Sequence, residues 1–190
     1  MTKKGLVFVV SAPAGTGKTT LVRMLLDEFH HHVVESVSFT TRFPRPNEVA
    51  GRDYNFITIE EFQKKIEEDE FLEYAQVFGN YYGTSRKTVE AQQEKGKHVV
   101  LVIDTQGALQ LRDKLEAVFI FISPPSLEEL RSRLYRRKSE TDEAIEHRLS
   151  WAEKEMALCG QYSYHVVNDN LKVAYDALRS ILIAEEHKNR

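Results

Sequence analysis

Short apolar runs separated by amphipathic ones set the rhythm of this chain. Five runs, Gly5–Ser11, Val33–Ser38, His98–Asp104, Ala117–Ser123 and Tyr164–Val167, are β-branched or aromatic and bounded by breakers, which predicts buried strands. Helical spacing fills most of the intervals, over Gly17–Phe29, Arg86–Lys95, Thr105–Leu115, Leu127–Arg137, Asp142–Leu158 and Leu171–His187. The punctuation agrees. Gly96 is a helix stop, Ser126 and Glu129 frame a capping box, and Thr141 is an N-cap followed by acids. Strands alternating with helices predict an α/β fold, a five-stranded parallel sheet with helices on both faces.

Residues 40–85 break the rhythm. Two arginines beside prolines come first, then Asp53-Tyr54-Asn55-Phe56, then a helix from Ile59 to Asp69 with a Thr58/Glu61 capping box. Phe71–Phe78 alternates like an exposed antiparallel strand and runs into Gly79-Asn80-Tyr81-Tyr82-Gly83. This stretch is predicted to be an α+β insertion, polar and aromatic enough to hold a second substrate.

Composition narrows the picture. A chain of 190 residues that is 42% hydrophobic accommodates one domain with a sizeable core. The formal charge of −3 excludes bulk nucleic-acid binding. One cysteine, Cys159, excludes a disulfide framework or thiolate metal cluster; it is expected as a small buried residue on a helix. His30, His31 and His32 end the first helix, where cationic imidazoles suit the macrodipole. Lys3, Lys4 and the apolar 6–10 run imitate a secretory leader, but the run is too short. No run reaches membrane-spanning length. The expectation is a cytoplasmic protein with no membrane partner.

The most informative segment is Ala12-Pro13-Ala14-Gly15-Thr16-Gly17-Lys18-Thr19, followed by Thr20, between the first predicted strand and helix. Strand, glycine loop and helix form the context of a phosphate-binding P-loop. Its N–H groups converge on phosphate oxygens at a helix N-terminus. Lys18 would reach the β/γ-phosphates and the Thr19 hydroxyl a Mg²⁺ ion. Ala12 replaces the first glycine, which the loop tolerates if that residue keeps a negative φ.

Further segments carry a family resemblance. Ser38-Phe39-Thr40-Thr41-Arg42-Phe43-Pro44-Arg45, Glu48, Gly51 and Asp53-Tyr54-Asn55-Phe56 resemble the GMP-binding segment of guanylate kinases. So do Phe71-Leu72-Glu73-Tyr74-Ala75, Gly79–Thr84, Ile103-Asp104-Thr105-Gln106-Gly107 and Phe121–Ser126, in order, so the likeness runs from Gly5 to about Ala184. The residues make chemical sense by themselves. Arg42 and Arg45 suit a dianionic phosphate with bidentate forks, and Tyr54 and Tyr82 add neutral O–H donors. Guanine presents N1–H and N2–H₂ donors on one edge, which a carboxylate accepts in parallel. Glu73 meets that need, with Ser38 and Thr84 available to O6 or the ring edge.

The resemblance implies more. It gives a P-loop core over 1–38, 86–132 and 149–190, a GMP-binding insertion over 39–85 and a helical lid over 133–148. It makes Lys18, Arg42, Arg133, Arg137 and Arg148 catalytic cations. It places ATP on residues 12–20 and Asn168, and GMP on Ser38, Arg42, Arg45, Tyr54, Glu73, Tyr82, Thr84 and Asp104. Mg²⁺ would lie at Thr19 and, through water, at Asp104. ATP and GMP or dGMP are the implied substrates, with no nucleic acid. Arg131 and Arg136 are expected as surface charges paired with Glu140, Asp142 or Glu146.

The chain departs from the family at Val102-Ile103-Asp104, where the strand commonly ends Asp-x-Asp. Positions 102 and 104 share a side of the strand, so one carboxylate is missing near the expected metal. Other functions fit less well. A sugar-phosphate kinase would leave Ser38, Glu73 and Thr84 without a purpose. A non-catalytic guanylate-kinase-like binding domain would not need Lys18, Thr19, Arg133, Arg137 and Arg148. A GTPase switch would carry an Asn-Lys-x-Asp run, absent here.

Overall fold

A computed structural model describes residues 4–77, 79–136 and 141–189. The main sheet contains β1 (Val7–Ser11), β2 (Val33–Glu35), β7 (His98–Val102), β8 (Val118–Ser123) and β9 (Tyr164–Val167). Its order is β2-β7-β1-β8-β9, and every pairing is parallel. Helices cover both faces, because strands buried on two sides need apolar partners on each. Leu21, Val22 and Leu25 of α1 (Lys18–Glu28) and Ala174, Leu178 and Leu182 of α7 (Leu171–Glu186) pack against Phe8, Val100 and Ile120. Val89 of α3 (Arg86–Glu94) and Ala108 and Leu111 of α4 (Thr105–Leu111) cover Val7, Val9 and Leu101 on the other side.

A second sheet has the order β4-β3-β6-β5, from β3 (Phe39–Thr40), β4 (Asn55–Phe56), β5 (Phe71–Val77) and β6 (Asn80–Ser85). One face of it stacks on α2 (Ile59–Glu67), whose buried Phe62 lies 4.6 Å from the Phe71 ring and 5.3 Å from Tyr81. Gly83 permits this: a Cβ there would lie 2.9 Å from the Phe62 ring. Thr58 and Glu61 make the complete capping box that starts α2.

α5 (Leu127–Arg136) and α6 (Asp142–Ala157) pack together through Leu130, Leu134, Ile145, Leu149 and Ala152. Arg131 joins them by a two-point contact to Glu146 at 2.6 and 3.0 Å. Arg136 turns to Glu129 and Ser132 of its own helix.

Several expectations change in detail. β2 stops at Glu35 rather than Ser38, and β7 at Val102 rather than Asp104. Asp104 leaves the strand to cap α4, accepting from Gly107 N at 2.8 Å. α4 ends at Leu111, not Leu115. β5 is not an exposed strand, since Phe71, Glu73 and Ala75 are buried. Its partner β6 covers Asn80–Ser85, for which the sequence pattern predicted no strand. Gly79, at φ 80°, reverses the chain tightly enough for the tyrosines beyond it to pair back. Ser126 accepts from Glu129 N at 3.1 Å, but the Glu129 carboxylate engages Arg133 and Arg136. Cys159 is half-buried in a short 3₁₀ turn, not buried on a helix. Among the described residues no helix is long and apolar enough to cross a membrane.

Candidate active site

The loop after β1 is held from below. Thr16 is buried, and its hydroxyl donates to Pro13 O at 2.7 Å. Asn168 Nδ2 donates to Thr16 O, also at 2.7 Å. Gly15 and Gly17 take left-handed φ values of 91° and 96°. At Gly17 the space matters as well, because a Cβ would sit 2.6 Å from Asn168 Nδ2. Ala12 lies in the apolar core and is not among the positive-φ residues, so its methyl group costs the loop nothing. α1 then starts at Lys18, its N-terminal N–H groups turned to the loop.

A cleft of about 310 Å³ opens over this loop. Residues 12–20 form one wall, with Thr19 and Thr20 exposed. Ser38, Arg42, Arg45, Tyr54, Glu73, Ala75, Val77 and Tyr82 form the opposite wall. The β5/β6 register explains the choice. Glu73 pairs with Thr84, Ala75 with Tyr82 and Val77 with Asn80, so these residues share the face opposite α2. Asp104 lies on the floor, and Arg148, Trp151 and Glu155 of α6 close the third side.

Glu73 is 5% exposed and accepts from Thr84 Oγ1 at 2.5 Å. Its other oxygen approaches α4 so closely that a Cβ at Gly107 would lie 2.3 Å from Oε2. Burial pushes its pKa up to about 7, with the nearby Asp104 charge adding to the shift and the Thr84 bond opposing it. Burial raises the Asp104 pKa too, against the Gly107 N–H and the Lys18 charge. Lys18 donates to Ile103 O at 3.0 Å. Burial lowers its pKa, and the charges of Glu155, Asp104 and Glu35 resist that.

The Arg42 guanidinium is already half engaged. It meets both Glu48 oxygens, at 3.0 and 2.9 Å, and donates to Phe43 O at 2.7 Å. These contacts use three of its five N–H donors. They aim the group across the Tyr54 ring, 5.3 Å from its centroid. Tyr54 and Tyr82 stand 5.9 Å apart, edge to face.

Not every expected residue faces the cleft. Arg133 is tied to Glu129 Oε1 at 2.8 Å and Asn168 O at 3.0 Å, away from the lining residues. Asn168 is buried beneath the phosphate loop, its amide committed to Thr16. Arg137 lies outside the described residues. Conversely, Glu48, quoted above only as part of the resemblance, orients Arg42, and Trp151 and Glu155 enter the site without any motif that marks them. Trp151 and Glu155 follow Arg148 by three and seven positions, the spacing of one helix face, so that signal was available.

A parallel α/β sheet with a P-loop at the mouth of β1, facing a second wall of cations and tyrosines, defines a nucleotide-dependent phosphotransferase of the P-loop class. The guanylate kinase family profile matches residues 4–185. A guanylate kinase of Protochlamydia amoebophila (strain UWE25) is 58% identical over 186 residues, covering 98% of this chain and 94% of that protein. One from Chlamydia felis (strain Fe/C-56) is 51% identical, covering 96% and 90%. The crystal structure of guanylate kinase from Anaplasma phagocytophilum superposes with a TM-score of 0.82 at 38% identity, over 98% of this chain and 89% of that one. The chain therefore belongs to the guanylate kinase family and is a nucleoside monophosphate kinase.

Proposed function

We propose that the protein transfers the γ-phosphoryl group of ATP to GMP, and to dGMP, giving ADP and GDP within purine nucleotide metabolism in the cytoplasm. The observation that carries this reading is the placement of Glu73: a buried carboxylate on the wall facing the phosphate loop, in the same cleft as Arg42 and Arg45. In this assignment residues 12–20 hold the ATP phosphates, and Asn168 and Arg133 support that loop from behind. Arg42, Arg45, Tyr54 and Tyr82 hold the acceptor phosphate. Ser38, Glu73 and Thr84 read the guanine edge, and no named residue reads a 2′-hydroxyl.

Phosphoryl transfer is catalysed mainly by positioning and charge stabilisation, which suits a cleft of arginines and a lysine with no dedicated base. Lys18 would meet charge developing on the transferring group, joined by Arg148 from α6 and by Arg137. The 133–148 segment is proposed to close as a lid and exclude water. Asp104 Oδ2 is buried with no hydrogen-bond partner, which fits a water of a Mg²⁺ ion held with the exposed Thr19 hydroxyl. Bound there, Mg²⁺ would neutralise charge on the β- and γ-phosphate oxygens. A sugar phosphate offers no base edge to a buried carboxylate such as Glu73, which favours the nucleotide as acceptor.

A coupled assay of ADP release with ATP, Mg²⁺ and a panel of nucleoside monophosphates tests the proposal. GMP and dGMP are expected to be turned over well and AMP poorly. Equal rates with GMP and AMP would refute the guanine assignment.

A further inference from the structure

Among the described residues, Glu155 is the one carboxylate lining the cleft with no part in the proposal above. It lies on α6, the helix that also brings Arg148 and Trp151 to the cleft, and it is 7% exposed. Its Oε1 accepts from the buried Thr105 hydroxyl at 3.2 Å, which fixes the side chain against α4. Lys18 lines the same cleft and donates to Ile103 O, two residues before Thr105, so the carboxylate and the ammonium are held at one turn without a direct bond between them. Each group is the foremost compensating charge of the other. Glu155 heads the charges that offset the burial of Lys18, and Lys18 heads the influences that offset the burial of Glu155, whose pKa burial raises to about 7.

We infer that Glu155 is a positioning residue, the resting counter-ion of Lys18, and that nucleotide phosphates must compete with it for the lysine. A buried ammonium without a partner is expensive. In the empty cleft the Ile103 carbonyl takes a hydrogen bond from Lys18 while Glu155 supplies the compensating charge that keeps the lysine drawn toward the floor. Arriving phosphates replace it, so part of their attraction to Lys18 is offset by the loss of Glu155. The carboxylate thus weakens nucleotide binding while keeping the lysine ordered between turnovers. Because it rides on α6, it also ties the helix bearing Arg148 to the state of the phosphate loop. The other acidic groups whose charge acts on Lys18 are Asp104, the cap of α4, and Glu35, the last residue of β2. Neither rides on α6.

The inference rests on the cleft being the nucleotide site, and the test separates the two. ADP binding is measured by calorimetry at pH 8, where Glu155 is ionised. Glu155→Gln is expected to bind ADP about three- to tenfold more tightly, the effect of removing one nearby charge at partial screening. Glu155→Asp, which keeps the charge, should return the affinity toward the native value. In a Lys18→Met background the gain from Glu155→Gln should shrink, because the pair is already broken. A gain in affinity is not what structural damage produces, and melting curves of each variant check the fold. Native or weaker ADP binding by Glu155→Gln would overturn the inference. So would a gain that persists in full without Lys18, since the carboxylate would then act directly on the phosphates. Native protein that binds no ADP would overturn the nucleotide-site assignment together with the inference.

Discussion

Replacing Glu73 with glutamine should separate function from stability with opposite signs. The Glu73 carboxyl has its pKa raised from 4.5 to about 7 in the folded, empty protein. A raised carboxyl pKa stabilises the fold fully below the unfolded value, and this contribution is lost as pH rises through the folded one. At pH 8 the native protein must hold a buried carboxylate that the unfolded chain would leave in water. At about 1.4 kcal/mol per pKa unit, that displacement amounts to about 3 kcal/mol. Glutamine removes the charge and can still accept from Thr84 Oγ1, but its new NH₂ group needs an acceptor, which returns about 1 kcal/mol. The net expectation is a free protein about 2 kcal/mol more stable at pH 8, or about 4–8 °C in Tm for a chain of this size. The gain should disappear near pH 4.5, where the native side chain is protonated. Activity should move the other way. Glutamine opposes an NH₂ to one guanine donor, and kcat/KM for GMP should fall by about 10² or more. GMP affinity of the native enzyme should likewise weaken as pH drops below about 7, as Glu73 takes up a proton. Differential scanning calorimetry at both pH values and steady-state kinetics read the two effects. A Tm change that is equal at pH 8 and pH 4.5, or full GMP activity in the variant, would refute the reasoning.

Four other outcomes are expected. Lys18→Ala should lower kcat by about 10²–10³ with a smaller effect on GMP affinity, and near-normal turnover would sink the P-loop assignment. Asp104→Asn should reduce activity and flatten the Mg²⁺ dependence of ATP use; an unchanged metal titration would show that carboxylate to be idle. Gly107→Ala should raise KM for GMP, because its methyl group must displace the Glu73 carboxylate that lies 2.3 Å from that position, whereas native GMP kinetics would mean that Glu73 is free to move. GMP with an inert ATP analogue should compact the enzyme in small-angle scattering and Arg137→Ala should depress kcat with ATP affinity kept; an unchanged radius together with full activity in that variant would exclude lid closure.

Much of this was legible in the chain itself. Period and punctuation located the five strands of the main sheet and every long helix, because burial on both faces demands continuous apolar runs and capping residues have local chemistry. The glycine loop between β1 and α1 was equally plain, since glycine spacing and a following helix are local requirements. The pairing of the insertion sheet was not, because it depends on contacts made after folding. Glu73 has the strand parity of Phe71, so alternation alone would set both on one face; a register shift between them lets Phe71 pack on α2 while Glu73 turns to the cleft. The Arg42 fork looked free in sequence, yet Glu48, six residues on, orients it. Arg133 and Asn168 carry motif chemistry but are drawn under the phosphate loop by backbone carbonyls that no residue pattern announces. Residue types and their periods are properties of the chain and can be read one segment at a time. Burial, charge partners and the pKa values that follow arise only when distant segments share a volume. That is why Lys18, Asp104 and Glu155, which lie in separate motifs, become one electrostatic unit only in the folded protein.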